Sequence, residues 1–228
     1  MDILLRIDWS PFWLSLKLAS ITTILLFIVA LPLAWRLSQT RCRCKPIIEA
    51  LVAMPLVLPP SVLGFYLLIA LAPDSWLGGF VKNLFGVELV FSFPGLVVAS
   101  MIYSLPFMVQ PLQSGFEVTP KRIIEASFLA GKGWLQTLIF VILPNMKASL
   151  LSALIISFAH TIGEFGVVLI VGGSIPNQTK VASIAIYEYV ETLDFASAHI
   201  YSAIMVAMSF AVLLTVYYIN RKNAYKNL

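Results

Sequence analysis

At 228 residues the chain has the length of one or two soluble domains, but 60% apolar and 11% charged residues exclude them, since soluble domains average about 45–50% and about 25%. A mean hydropathy of +0.93 agrees, so the chain reads as an all-α integral membrane protein whose core is buried in lipid and helix contacts. Its net charge of +4 comes without a basic stripe interleaved with aromatics, which argues against a nucleic-acid partner.

Met1 to Ser10 holds Asp2, Arg6 and Asp8, and no A-x-A cleavage site follows. The first apolar run, about 11–35, therefore reads as a retained span rather than a removed signal peptide. Lys17 near its start can snorkel to the surface. Arg36, Arg41, Arg43 and Lys45 then cluster beside the span. Such a cluster belongs on the cytoplasmic side and leaves the N-terminus outside. Within it, Cys42 and Cys44 form a C-x-C pair without His or further Cys. That is a poor metal site and too close for an ordinary disulfide, so the thiols read as reduced and structurally idle.

The second span, about 47–72, contains MPLVLPPSVLG over 54–64. Pro55, Pro59 and Pro60 remove backbone donors and must break or kink the helix. A break at membrane depth is tolerated only where protein or a water-filled cavity covers it. It is either a structural kink or a bend lining a pathway. Residues 73–92 read as an external loop with a short interfacial helix, and 93–112 as the third span, with bends or ends at Pro94, Pro106 and Pro111.

Lys121, Arg122, Glu125 and Lys132 keep the next stretch, 117–136, in water. Its small residues Ala126, Ala130, Gly131 and Gly133 leave one side low, as for close packing against another protein. The apolar run from 137 to 173 is too long for one straight helix of about 20 residues. It reads as a span that breaks near Gly163 and then continues or re-enters to Gly172-Gly173. A polar loop over 174–180, an amphipathic helix over about 181–190 and a last span over about 198–219 complete the chain.

Five crossings from an outside N-terminus place the C-terminus inside. Arg36, Arg41, Arg43, Lys45, Lys121, Arg122, Lys132, Lys147, Arg221, Lys222 and Lys226 then lie inside, and only Arg6, Lys17, Lys82 and Lys180 outside. The chain has no G-x-x-x-x-G-K-[ST] loop, so any ATP-derived energy must come from a partner.

Glu164 is an ionisable group in an apolar run, a functional-site hypothesis by default. His160 precedes it by one helical turn, so on a continuous helix both face one side. They form either a polar pair at a gate or cavity, or a structural hydrogen-bonded pair joining helices or capping a helix end at Gly163. One His and one Glu are too few for a metal site, and no H-E-x-x-H is present.

The stretch Glu125-Ala126-Ser127, Gly131 and Val141-Ile142-Leu143-Pro144 resembles the E-A-A-x3-G-x9-I-x-L-P loop of bacterial ABC importer permeases. Ser127 stands for the third Ala and Val141 for the Ile. MPLVLPPSVLG resembles a span of molybdate permeases, and Phe158 to Gly166, FAHTIGEFG, resembles the F-A-R-x-x-G-E-F-G of molybdate and sulfate permeases. His160 there replaces the usual Arg, which removes a fixed positive charge. The run Gly173 to Val181 and Ala185 to Tyr189 also resembles the molybdate permeases. The likeness extends from the second span to about Tyr189.

The resemblance implies a single permease domain over 1–228 of the type I ABC importer kind, in the bacterial inner membrane, working as a homodimer for a tetrahedral oxyanion. Molybdate ranks first, tungstate next and sulfate third. It implies an ATPase-docking element at Glu125, Ala126, Ser127, Gly131, Leu143 and Pro144, and a gate or pathway at Pro59, Pro60, His160, Gly163, Glu164, Phe165 and Gly166. The implied partners are two copies of an ATP-binding subunit and an extracytoplasmic oxyanion-binding protein. No cofactor, metal or catalytic residue is expected. A self-contained secondary transporter would want internal repeats and more intramembrane charge. An intramembrane hydrolase would want a nucleophile beyond Ser157.

Overall fold

The computed structural model describes residues 7–225; Asp2, Arg6 and Lys226, used above to place the termini, lie outside that range. Every regular element among the described residues is helical. α1 (Ser10–Gln39) and α5 (Phe93–Val118) form the central pair. At a 1.5 Å rise they are about 45 and about 39 Å long, enough to cross a hydrocarbon core of about 30 Å. They run parallel: Leu14 and Leu18 pack with Leu96 and Val97 at one end, and Trp35 meets Phe116 edge-on at 5.1 Å at the other.

This pair gives the molecule two ends, against which the other elements can be followed. α2 (Lys45–Val57) starts at the Phe116 end, where Lys45 reaches Glu117 at 3.3 Å. α3 (Pro60–Leu71) turns by 112° and packs Leu63, Leu67 and Leu71 with Ala99 and Leu89, near the opposite end. The bent pair thus travels the length that α5 travels in one piece. α4 (Trp76–Phe85) is the short helix of the following loop; Ser75 accepts from Gly78 N at 2.9 Å to open it, and Gly86 closes it at φ 68°. A serine cap also opens α5, where Ser92 accepts from Gly95 N at 3.3 Å.

After α5 come α6 (Lys121–Leu129), α7 (Trp134–Thr137), a π-helical turn (Leu138–Ile142) and α8 (Leu143–Asn145). α9 (Lys147–Gly163) leaves the Phe116 end, with Met146 in the same core cluster as Phe116. α10 (Gly166–Gly172) reaches the far end, where Val168 packs with Leu14 and Leu96. α11 (Ala182–Glu191) lies across that end, its Ala182 N–H donating to Ser15 at 2.9 Å. α12 (Phe195–Tyr225) then packs on α11 and α9, and near its start Tyr201 lies 4.9 Å from Phe12 of α1, ring to ring and tilted.

Two expectations need correction. α5 does not end at Pro106 or Pro111 but continues past the expected limit at 112 to Val118, whereas Pro94 does mark an end, in the first turn, where a missing N–H is harmless. The apolar run from 137 is not one span broken once. It turns by 84° at Met146, so the membrane-long piece begins at Lys147, and the break near Gly163 comes second. α10 has only 7 residues and completes the pass of α9 instead of adding a sixth.

Candidate functional site

Two regions gather the residues singled out by sequence. The first lies beyond the Phe116 end. Stretch 117–136, read as a loop, begins as the last turn of α5 and then folds into α6, a helix that exposes Glu125 and Ala126 and buries Ile124 and Ser127. Ser127 Oγ and Thr137 Oγ1 share a buried hydrogen bond of 2.9 Å, which locks α6 onto α7. The serine in place of alanine therefore has a partner, and Thr137 is a contributor that sequence reasoning missed.

Gly131 ends α6. Its φ of +77° is left-handed, its N–H bonds to Phe128 O at 2.9 Å, and Lys132 N–H reaches back to Ser127 O at 3.2 Å. This is the paired arrangement that terminates helices at a glycine. Trp134 then packs 4.7 Å from Trp35 and holds the α6–α7 hairpin to the end of α1.

Leu143 and Pro144 follow the π-helical turn. Leu143 N–H bonds to Leu138 O, five residues back. Pro144 lacks the N–H that would have served Phe140 O, so the backbone widens before the proline rather than breaking. Leu143 packs against the core through Ile142 and its neighbours, and Pro144 is exposed. The outer surface of the hairpin carries Leu129, 90% exposed, and Leu135, 68% exposed. Charge at Glu125, small residues and exposed leucines together suit a protein partner.

The second region is the junction of the two helix breaks. Pro59 sits in the α2–α3 break, extended at φ −55° and ψ 136°, and Pro60 opens α3. Glu164 and Phe165 form the α9–α10 break. The two meet at Gly166, where a Cβ would lie 2.8 Å from Pro60 Cβ; any side chain would push the breaks apart. Gly163, Pro59 and Pro60 are open to the surface of the single chain.

His160 and Glu164 do not pair. α9 ends at Gly163, so Glu164 has left the helical spiral and the one-turn spacing no longer aligns the two side chains. His160 Nδ1 instead lies 3.0 Å from Ser104 Oγ, which also bonds Thr161 Oγ1 at 3.1 Å. The imidazole sits between Phe107 and Tyr103, with centroids at 4.1 and 4.7 Å. This is a helix-joining arrangement of α9 with α5. Ser104 is one of several hydroxyls in α5, beside Ser100 and Tyr103, and nothing in the sequence singled it out.

Glu164 is 4% exposed, and among the described residues neither carboxylate oxygen makes a hydrogen bond of good geometry, although the Ser100 hydroxyl lies beside the carboxyl. The hydroxyls of Ser100 and Ser157 are likewise buried without such a bond. Ser183 of α11 holds the Glu164 carbonyl at 2.6 Å, and Phe165 packs 5.0 Å from Tyr187. The break is therefore tied to the loop-and-helix cover over 173–191. In that cover Glu188 takes Lys180 and Ser174. Burial works against the Glu188 charge, but these two donors outweigh it and hold the carboxyl below its usual range.

A third polar group joins α2 to α5. Gln113 Nε2 donates to Glu49 at 2.7 Å and to Glu117 at 3.1 Å, and Lys45 lies 3.6 and 3.3 Å from the same carboxylates. Sequence reasoning did not join these residues, which are far apart along the chain.

A family model described as "Binding-protein-dependent transport system inner membrane component" matches residues 26–225. The chain is 46% identical over 210 residues to the "Molybdenum transport system permease protein ModB" of Azotobacter vinelandii, covering 92% of this chain and 93% of that one. It is 30% identical over 213 residues to a "Probable sulfate transport system permease protein cysT" of Zygnema circumcarinatum, covering 93% and 74%. A solved chain of the MetNI methionine ABC transporter superposes with a TM-score of 0.73 at 16% identity, covering 97% of this chain and 98% of that one. That likeness carries the fold alone.

Proposed function

The chain belongs to the family of binding-protein-dependent transport system inner membrane components, and on that premise we propose that it is the membrane-spanning permease of an ATP-driven importer for a tetrahedral oxyanion, molybdate first. The observation that carries the reading is the 46% identity to a molybdenum permease across nearly the full length of both chains. The relative named for sulfate, at 30% identity, keeps sulfate, with tungstate, as a second reading of the same type.

The Phe116 end gathers Arg36, Arg41, Arg43, Lys45, Lys121, Arg122, Lys132 and Lys147, and we take it as the cytoplasmic face. The N-terminus is then outside and the C-terminus inside, with five passes in one domain. Glu125, Ala126, Ser127, Gly131, Leu143 and Pro144 form the docking element for a separate ATP-binding subunit. In a homodimer two such subunits bind, one to each copy. An extracytoplasmic oxyanion-binding protein delivers the anion over the 173–191 cover.

The junction of breaks, with Pro59, Pro60, His160, Gly163, Glu164, Phe165 and Gly166, is the gate. Irregular backbone at Pro59 and Gly163 faces out of the single chain at membrane depth, where lipid is a poor neighbour. A second copy or a water-filled path between copies supplies the cover. Closure of the ATPases, passed through the α6–α7 hairpin to α9, would then swing the path between its two openings.

The test is uptake of labelled molybdate by vesicles holding the chain with its candidate ATPase and binding protein. ATP-dependent uptake competed by tungstate more strongly than by sulfate is expected. Uptake that proceeds without an ATPase, or a sulfate preference, overturns the reading of mechanism or of substrate respectively.

A further inference from the structure

The turn between α1 and α2 holds the chain's two cysteines, which sequence reading left without a role. Both are exposed, and the turn brings them together. The Cys44 thiol is directed at the Cys42 sulfur, and the Cys44 amide also points at Cys42 Sγ, at 3.4 Å. The turn is closed by Lys45 N–H to Cys42 O at 3.1 Å, and Cys44 caps α2. Cys42 sulfur thus accepts from both the thiol and the amide of Cys44, next to the N-terminal end of a helix and between Arg41 and Arg43. Each of these favours a sulfur anion.

We propose that Cys42 and Cys44 form a reversible dithiol–disulfide site that exchanges with a low-molecular-weight disulfide at the cytoplasmic mouth of the transporter. Cys42 thiolate attacks one sulfur of the small disulfide; its S–S bond breaks and one thiolate leaves, taking up the proton that Cys42 released. Cys44, once deprotonated, attacks the Cys42 sulfur of the mixed disulfide. The second small thiol leaves with that proton. Two protein thiols are oxidised to one disulfide, and the small disulfide is reduced to two thiols.

The geometry supports each step. Cys44 donates its thiol hydrogen to Cys42, which lowers the Cys42 pKa and raises that of Cys44. This order makes Cys42 the attacking group and Cys44 the resolving one. The two sulfurs already face each other across the turn. A ring closed over one intervening residue is strained, so the product is readily reduced again, as labile disulfides are. The site adjoins Lys45, whose contacts to Glu49 and Glu117 tie α2 to α5.

The cytoplasmic placement rests on the orientation proposed above; the exchange chemistry does not. With only two cysteines in the chain, the purified reduced protein in detergent is equilibrated with glutathione disulfide, alkylated and weighed intact. Loss of both thiols together, with the mass of two hydrogens gone and no stable adduct, is expected. Cys44→Ser is expected to accumulate one glutathione adduct, and Cys42→Ser to react about tenfold more slowly. Stable adducts on the wild type, no reaction, or equal rates for the two variants overturn the proposal. A membrane-impermeant maleimide is then applied to sealed vesicles of both orientations. Labelling only in inverted vesicles is expected. Labelling from the outer side overturns the orientation and leaves the exchange result standing.

Discussion

Gly131→Ala separates backbone from bulk at the proposed docking hairpin. A Cβ at Gly131 meets nothing within 4 Å, so alanine adds no clash. What it adds is the penalty of holding an L-residue at φ +77°, about 1–2 kcal/mol. That shifts the local equilibrium between capped and frayed α6 by about 5- to 30-fold. The cap also holds Lys132 N–H on Ser127 O, and Ser127 is the residue that locks α6 to α7. Fraying therefore disturbs the surface around Glu125 without touching the spans. Titration of purified permease with the candidate ATPase is expected to show Gly131→Ala binding more weakly, by at most about 30-fold because affinity falls only with the fraction of hairpins that fray, with an unchanged melting temperature for the permease. Gly131→Asn, which tolerates the left-handed region, is expected to lose less. Gly131→Arg adds a long charge to the alanine penalty and is expected to uncouple ATP hydrolysis from uptake. Alanine binding as tightly as glycine, or asparagine as poorly as alanine, would refute the backbone argument.

Ser127→Ala leaves the Thr137 hydroxyl buried without its partner. It is expected to lower stability by about 1–3 kcal/mol, and Ser127→Ala with Thr137→Val by less than the two singles together; additive melting shifts would show that the bond contributes nothing. Glu164→Ala is expected to alter transport while the complex still assembles, measured by uptake beside size-exclusion chromatography. Failure to assemble would make the residue structural. Gln113→Leu removes the donor that joins Glu49 to Glu117 and is expected to loosen α2 from α5 and lower the melting temperature; an unchanged melting temperature would count against the tie.

Membrane class, the helix breaks and the charged hairpin were legible in the sequence because each follows from local chemistry. Hydropathy marks spans, clustered Lys and Arg mark one face, and Pro59-Pro60 and Gly163 interrupt a helix wherever they are placed. Gly131 was visible as a motif position, and its left-handed φ supplies the reason. Packing decided what local chemistry leaves open. α5 runs through Pro106 and Pro111, a choice that depends on neighbours and not on the prolines. The turn at Met146 separates a hairpin from a span within one apolar run, which hydropathy alone joins. His160 and Glu164 share a face only on a helix that continues, and this one stops between them. His160 then finds Ser104 on α5, and Glu164 is left buried beside Pro60's junction. Ser127 with Thr137, Gln113 with Glu49, and Cys42 with Cys44 are each a matter of side-chain reach, which chain spacing does not encode.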